Sequence, residues 1–500
     1  MMTLQGRSPQ ARVLSWPAMP EDSLPLSLWT AAEIAEATGG KASGEFRVSG
    51  VAIDSREVIA GDLFVALKGE AMDGHRFVAG ALAQGAAAVL VEQPVDGPHV
   101  LVADTFAALQ ALAKAARARL LPDSVVIAVT GSVGKTSVKE ALFNALDRGS
   151  RGQAHRSVKS YNNHVGVPLS LARMPARTKF GIFEMGMNHA GEIAALTVQA
   201  RPNLAVITTI APAHIENLGS EEAIADAKAE VFGGLLPGGT AVIPADSPHF
   251  ARLKAAAEVL GHKVVSFGRS AQADVRLMDA VASPAGTGAQ GTLVTIDMGD
   301  RRLCYTINAP GEHWIVNSLA VMAAVRAAGG NLGAAGLALA ELPGMPGRGQ
   351  RHTIRADDGG EALLIDESYN ANPASMRATL ASLATTPARR RIAVLGAMKE
   401  LGDFAPGLHA ALAGPIAEAH VDHVVLVGDE MGALADELGK SPGGALGSAP
   451  GFAHCHSVDE ALTLLREHGI AGGDAILVKG SNSVGLAALV AALAGKRNGS

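Results

Sequence analysis

Cysteine is nearly absent: Cys304 and Cys455 are the only two in 500 residues, and they stand far apart. That excludes a disulfide-stapled secreted scaffold and suits a reducing compartment. Long basic runs are missing too, and 42 Lys and Arg against 48 Asp and Glu leave a net charge of −6. A nucleic-acid partner therefore has no electrostatic footprint, whereas a small anionic ligand can be held locally. No window approaches the roughly 18 uninterrupted apolar residues of a membrane span, and no basic segment followed by an apolar stretch opens the chain, so the expected location is the cytoplasm. His454 and His456 flank Cys455, but three adjacent residues do not easily converge on one metal, so a loop or strand end is expected there. No internal repeat or low-complexity block stands out.

What is present is apolar content of 48% over a length that suggests about three domains. Its most informative segment is Val125 to Ser137, VVIAVTGSVGKTS, which leads into a helical pattern from Val138 to Arg148. The β-branched run fits a buried parallel strand, and Gly131 and Gly134 let backbone N–H groups turn toward phosphate oxygens. The following helix N-terminus adds its positive dipole end. Lys135 can reach the outer phosphates as a point charge, and the Thr136 hydroxyl can ligate magnesium. The earlier glycine of a full Walker pattern would fall at Val129, so this is a shortened form, GSVGKT. A structural strand-to-helix turn is the competing reading.

Along the chain, residues 1–27 read as a flexible extension without periodicity. Residues 28–112 read as a small α/β module, with a helix over Ala31 to Thr38 and strands near Val51 to Ile53 and Leu63 to Leu67. Asp54-Ser55-Arg56, Lys68-Gly69-Glu70 and Asp73-Gly74-His75 stand at strand ends, where either a diphosphate or plain surface turns would account for them. Residues 113–346 alternate apolar runs with helices, the pattern of βαβ units around a mainly parallel sheet. Residues 347–500 repeat that alternation as a Rossmann-like doubly wound domain. Strands are predicted at Ala362 to Ile365, Arg391 to Leu395, His423 to Val427 and Ala475 to Val478, with helices at Leu408 to Ala419, Val458 to Glu467 and Val484 to Ala494. No G-x-G-x-x-G fingerprint follows, so no dinucleotide is assigned.

Ligands of doubly wound sheets bind beyond the carboxyl ends of strands. There stand Glu184, after Gly181-Ile182-Phe183, and His214, after Ala205 to Ile210. Both are candidate metal ligands beside Thr136; a carboxylate suits magnesium better than a histidine, and a surface histidine explains His214 as well. Lys228, in a helical stretch, is either solvated or a neutral amine that captures carbon dioxide as a carbamate. Asn317 carries the donor and acceptor an adenine edge needs, or faces solvent. Arg348 follows a hinge-like Pro-Gly and could swing toward a transferring phosphoryl group. Asp366 could accept from a ribose hydroxyl, while Asn372-Pro373 explains part of that segment as a turn.

Taken together, these segments resemble the Mur ligase family of ATP-dependent amide-bond-forming enzymes, from Trp29 to about Leu486. GSVGKTSVKE, NNHVGVP, FEMGMNHAGEI, AHIENLGS, DAKAEVF, GEHWIVN, PGRGQ and DESYNANPASM occur in order. DSR with GDLFVALKGE and DGH, YNANPASM and VLGAMKELG are similar to the branch that adds D-alanyl-D-alanine to UDP-N-acetylmuramoyl-tripeptide for peptidoglycan. The resemblance implies that ATP phosphorylates the tripeptide carboxylate and that the dipeptide amine then displaces phosphate. It implies ATP and two magnesium ions as cofactors, one held by Thr136 and Glu184 and the other by His214 and carbamylated Lys228. Lys135 and Arg348 would stabilise the moving phosphoryl group. Gly131, Ser132, Val133, Gly134, Lys135, Thr136 and Ser137 would wrap the ATP phosphates, with Asn317 on adenine and Asp366 on ribose. Ser55 and Arg56 would hold the UDP end, and Asn163, Asn370 and Asn372 would contact substrate. Three positions depart from the family pattern: Trp314 replaces a usual Asn, Ala397 a common acid, and Asn482 a common Arg. A monomer is expected. A third-residue-adding ligase of the same family, or a non-ligating ATP-driven switch, are the alternatives.

Overall fold

The computed structural model describes residues 27–69, 72–284, 290–309, 311–342, 344–440 and 451–495. All but Ser27 of the expected extension, and Glu70, lie outside the described residues. Met1–Ala108 and Leu109–Ser500 form two compact units.

In the first unit, helix Ala31–Thr38 occupies its predicted span because its ends are written in the sequence. Thr30 and Glu33 form a reciprocal capping box, and Gly39 ends the helix at φ 67°. Strands Gly50–Ala52, Asp62–Val65, Ala88–Val91 and His99–Leu101 run parallel, with Lys41–Ala42 antiparallel at one edge. The polar strand ends are tied to one another. Asp54 caps the short turn Ser55–Glu57 and pairs with the exposed Arg56 at 2.6 Å. Lys68 pairs with Glu92. The Glu92 N–H donates to His75 Nε2 at 2.9 Å, which puts the ring proton on Nδ1, 2.6 Å from Asp73 Oδ1.

In the second unit, a nine-stranded sheet runs in the order Arg302–Ile307, Gln290–Asp297, Val275–Pro284, Lys263–Gly268, Thr240–Pro244, Leu204–Ile207, Val125–Thr130, Phe180–Glu184, Ala154–Arg156. All neighbours from Val275–Pro284 to Ala154–Arg156 are parallel. The antiparallel meander at the other edge was not expected from the helix–strand alternation. Strand Val125–Thr130 lies between Leu204–Ile207 and Phe180–Glu184, so chain order reverses around it and a crevice opens at its carboxyl end.

A second sheet in the same unit runs Gln350–Arg355, Glu361–Glu367, Ala475–Lys479, Arg391–Gly396, His423–Val427, Gly451–Cys455. It is parallel except for its first strand. The four predicted strands fall within four of these. The helix predicted over Leu408 to Ala419 is instead two, Ala405–Ala410 and Ala413–Glu418. Pro415 has no N–H to return to Ala411, which interrupts the ladder there. Both cysteines are free, and no helix among the described residues is long and apolar enough to cross a membrane.

Strand Ala475–Lys479 is anchored at its start by Asp474, 1% exposed, which accepts from Arg390 at 3.0 and 2.6 Å and from the Ala471 N–H at 2.8 Å. Asp474→Ala removes these bonds and leaves the part-exposed Arg390 with the Gly469 carbonyl, and should cost about 1–2 kcal/mol. The expected result is a lower midpoint in scanning calorimetry; an unchanged midpoint would refute the anchoring role.

Candidate active site

The glycines of the loop after Val125–Thr130 are needed for space as well as for conformation. Gly131 has φ 143° and Gly134 φ 86°; a Cβ would stand 2.0 Å from Thr208 Oγ1 at the first and 2.9 Å from Asn317 Oδ1 at the second. Ser132 Oγ donates to the Ala211 carbonyl at 2.8 Å and fixes the loop to the next strand end. Helix Lys135–Ser150 then starts with no side-chain cap, which leaves its first N–H groups for an anion. Lys135 Nζ donates back to the Gly131 carbonyl at 2.7 Å, and burial lowers its pKa. Thr136 Oγ1 donates to Glu184 Oε2 at 2.7 Å. Glu184, 1% exposed, ends the adjacent strand in register with Val129, and its Oε1 accepts from Asn162 Nδ2 at 2.9 Å.

Ser132, Gly134, Lys135, Thr136, Asn162 and Glu184 line a cavity of about 550 Å³ that also takes in His214, Asn317 and Arg348 and that Gly131 does not line. Asn317 is buried rather than solvent-facing, and Trp314, one turn before it and 5% exposed, lines the same wall. The Arg348 guanidinium sits 4.0 Å above the Tyr369 ring, with Nη2 3.5 Å from Ser160 Oγ. An adjoining cavity of about 400 Å³ is lined by Lys135, His214, Asn370, Asn372, Glu400 and Asn482, so one of the three departures from the family pattern faces it. Ala397 is fully buried, its carbonyl accepting from the Ser481 N–H.

Some predicted residues have other employment. Asp366 is buried and lines neither cavity; its carboxylate accepts from the N–H groups of Gly347 and Ser368 and from Ser368 Oγ, holding the Gly347 turn to the strand. Asn163 is exposed and accepts from the Val165 and Gly166 N–H groups at the start of helix Gly166–Ala172, while its neighbour Asn162 faces the cavity. Asn372 does line both cavities and also caps helix Pro373–Thr385. His214 has a left-handed backbone, φ 61°, and its Nδ1 lies 2.6 Å from Glu400 Oε2 at an angle that falls short of a hydrogen bond. Lys228 is 1% exposed, lines neither cavity, and has no hydrogen-bond or ion-pair partner among the described residues. Burial, with the Lys135 charge nearby, pulls its pKa well down. Ser55 and Arg56 belong to the first unit.

Two charged residues of the cavity were missed. Glu367 and Lys479 are register partners at the carboxyl ends of adjacent parallel strands; their charges lie 3.7 Å apart, and Lys479 Nζ donates to the Asn370 carbonyl at 2.9 Å. Burial raises the Glu367 pKa and lowers that of Lys479. The rule that found Glu184, a polar residue closing an apolar strand, would have found both.

Known proteins match along nearly the whole chain. Residues 47–132 match the Mur ligase family catalytic domain, 129–325 the Mur ligase middle domain, and 350–482 the Mur ligase glutamate ligase domain. The UDP-N-acetylmuramoyl-tripeptide--D-alanyl-D-alanine ligase of Synechocystis sp. is 35% identical, covering 90% of this chain and 93% of that protein. That of Escherichia coli K12 is 34% identical, covering 93% and 98%. Among solved structures, MurF from Acinetobacter baumannii superposes with a TM-score of 0.78 at 31% identity, covering 94% of this chain and 99% of that one. MurF ligase from Thermotoga maritima in complex with ADP gives a TM-score of 0.71 at 26% identity, covering 90% and 98%. With all three regions in order and relatives above 30% identity across nine-tenths of its length, the chain belongs to the Mur ligase family.

Proposed function

We propose that this chain uses ATP to join D-alanyl-D-alanine to UDP-N-acetylmuramoyl-tripeptide through an acyl phosphate, in the cytoplasm. The observation that carries the reading is the near full-length identity to ligases of that name, 35% and 34% over at least 90% of this chain. A carboxylate does not release its oxygen to an amine unaided, and phosphorylation turns that oxygen into a leaving group. The cavity suits this chemistry. Lys135 and Arg348 both line it, so both cations can meet charge on a moving phosphoryl group. Residues 28–112 are assigned to the UDP-linked substrate, with Ser55 and Arg56 at the UDP end, 113–346 to ATP, and 347–500 to the second substrate, with Asn370 and Asn372.

The cation sites are tested by donor chemistry. The Thr136 hydroxyl and Glu184 carboxylate, 2.7 Å apart, are hard oxygen donors that fit magnesium, which commonly takes one or two carboxylates and completes its shell with phosphate and water. Magnesium there would supply charge neutralisation on the phosphates. Lys228 fits a carbamate: it is buried and without a partner among the described residues, and its depressed pKa favours the neutral amine that attacks carbon dioxide. His214 and that carbamate are assigned to a second magnesium.

Three outcomes follow. Lys135→Ala should lower kcat about a hundredfold or more in an ADP-release assay with both substrates, and near-normal kcat refutes the assigned role. Tripeptide labelled with oxygen-18 in its terminal carboxylate should deliver label to inorganic phosphate; unlabelled phosphate rules out the acyl phosphate. Lys228→Ala should lose turnover and regain part of it with added short carboxylic acids, whereas no recovery at saturating magnesium counts against the carbamate.

A further inference from the structure

Lys139 is fully buried beside this site and has no part in the chemistry above. It lies one turn after Lys135 on helix Lys135–Ser150, at 0% exposure. An ammonium has three donors, and three oxygens surround this one. Nζ donates to the carbonyls of Ser157 at 3.0 Å and Lys159 at 2.8 Å, and Glu140 Oε1 lies 3.0 Å away. Glu184 Oε2 is 4.0 Å from the same nitrogen. Arg156 closes the far end, with Nε 2.8 Å from Glu140 Oε2 and its guanidinium 3.7 Å above the Phe143 ring. Charge alternates in sign along Arg156, Glu140, Lys139 and Glu184.

Lys139 does not line the cavity; of the groups around its ammonium, Glu184 does. The segment it pins by two carbonyls continues into Ser160 and Asn162, which face the cavity beside Arg348 and Glu184. Ser157 itself accepts the Glu184 N–H on Oγ at 3.1 Å. An apolar side chain could fill the slot without a desolvated charge, so stability alone is a weak reason for an ammonium there.

We propose that Lys139 is a positioning residue for the magnesium–nucleotide site: its ammonium holds the Glu184 carboxylate and the Ser157–Lys159 segment that leads into Ser160 and Asn162 in one frame before nucleotide arrives. The inference rests on the reading of Thr136 and Glu184 as cation ligands. Groups that orient a metal ligand without touching the metal commonly change metal affinity about ten- to a hundredfold when removed.

The test titrates the full chain and its Lys139→Met variant with ADP by calorimetry over a series of magnesium concentrations, with thermal unfolding measured alongside. Magnesium-free ADP binding should stay near wild type, because the glycine loop and Lys135 are intact, while the gain in affinity on adding magnesium falls about tenfold or more. An equal magnesium gain in both proteins overturns the inference, and so does an equal loss of binding with and without magnesium, which marks a purely structural role. Should Lys139→Met fail to fold, Glu140→Gln takes its place: a reduced magnesium gain supports the inference and an unchanged one overturns it. Wild-type protein that binds no ADP at all would instead overturn the nucleotide reading beneath it.

Discussion

The 2.7 Å contact between the Thr136 hydroxyl and the Glu184 carboxylate is the constraint on which the site depends, because its partners come from different elements. Thr136 is placed by a turn that only glycine can make at Gly131, and Glu184 by the pairing of its strand with Val125–Thr130. A slip of one residue in that pairing would carry Glu184 to the opposite face of the sheet. The buried apolar residues of both strands prevent the slip, since Ile127, Val129, Ile182 and Phe183 are all fully buried in the paired register. Core packing thus fixes the height of a carboxylate that contributes nothing to the core.

The second sheet uses the same device at a different pair of strands. Glu367 and Lys479 close neighbouring parallel strands and face the same cavity as Glu184 and Lys135. Burial acts on the two in opposite directions, raising the acid and lowering the base, and their proximity offsets part of each shift. With Lys135, Arg348 and Lys479 against Glu184 and Glu367, the cavity wall carries alternating charge rather than a uniform positive field. Such a wall can hold phosphates and an approaching cation together, which a purely basic pocket would not.

Most of the site was legible where chemistry coincides with a strand end or a tight turn. The glycine loop and Glu184 follow from apolar runs and the residues that stop them, Asn317 from its amide and Arg348 from its place after a Pro-Gly, and Gly134, Lys135, Thr136, Glu184, Asn317 and Arg348 line one cavity. Side-chain direction was not legible. Asp366 and Glu367 are adjacent in one strand and therefore face opposite ways, so the acid chosen from sequence is the one that holds a turn. Asn162 and Asn163 also divide, one facing Glu184 and the other accepting from the Gly166 N–H where a helix begins. The antiparallel meander escaped notice because the meaning of an apolar run depends on what lies beside it, and the chain alone does not say. The broken helix at Pro415 was legible in principle and was outweighed by apolar periodicity.

Lys139 and Lys228 show why burial by itself does not assign a role. Their exposures are 0% and 1%; Lys139 lies 4.0 Å from Glu184, and Lys228 feels the charge of Lys135. The difference is in their partners. Three oxygens surround the Lys139 ammonium, two of them carbonyls that accept from it and the third a Glu140 carboxylate oxygen 3.0 Å away. Lys228 has no such acceptors among the described residues, and the only resolved charge acting on it is the repulsive one of Lys135. Burial there favours the neutral form of the amine, and a neutral amine is a nucleophile. One lysine is therefore set among oxygens, and the other is buried without them.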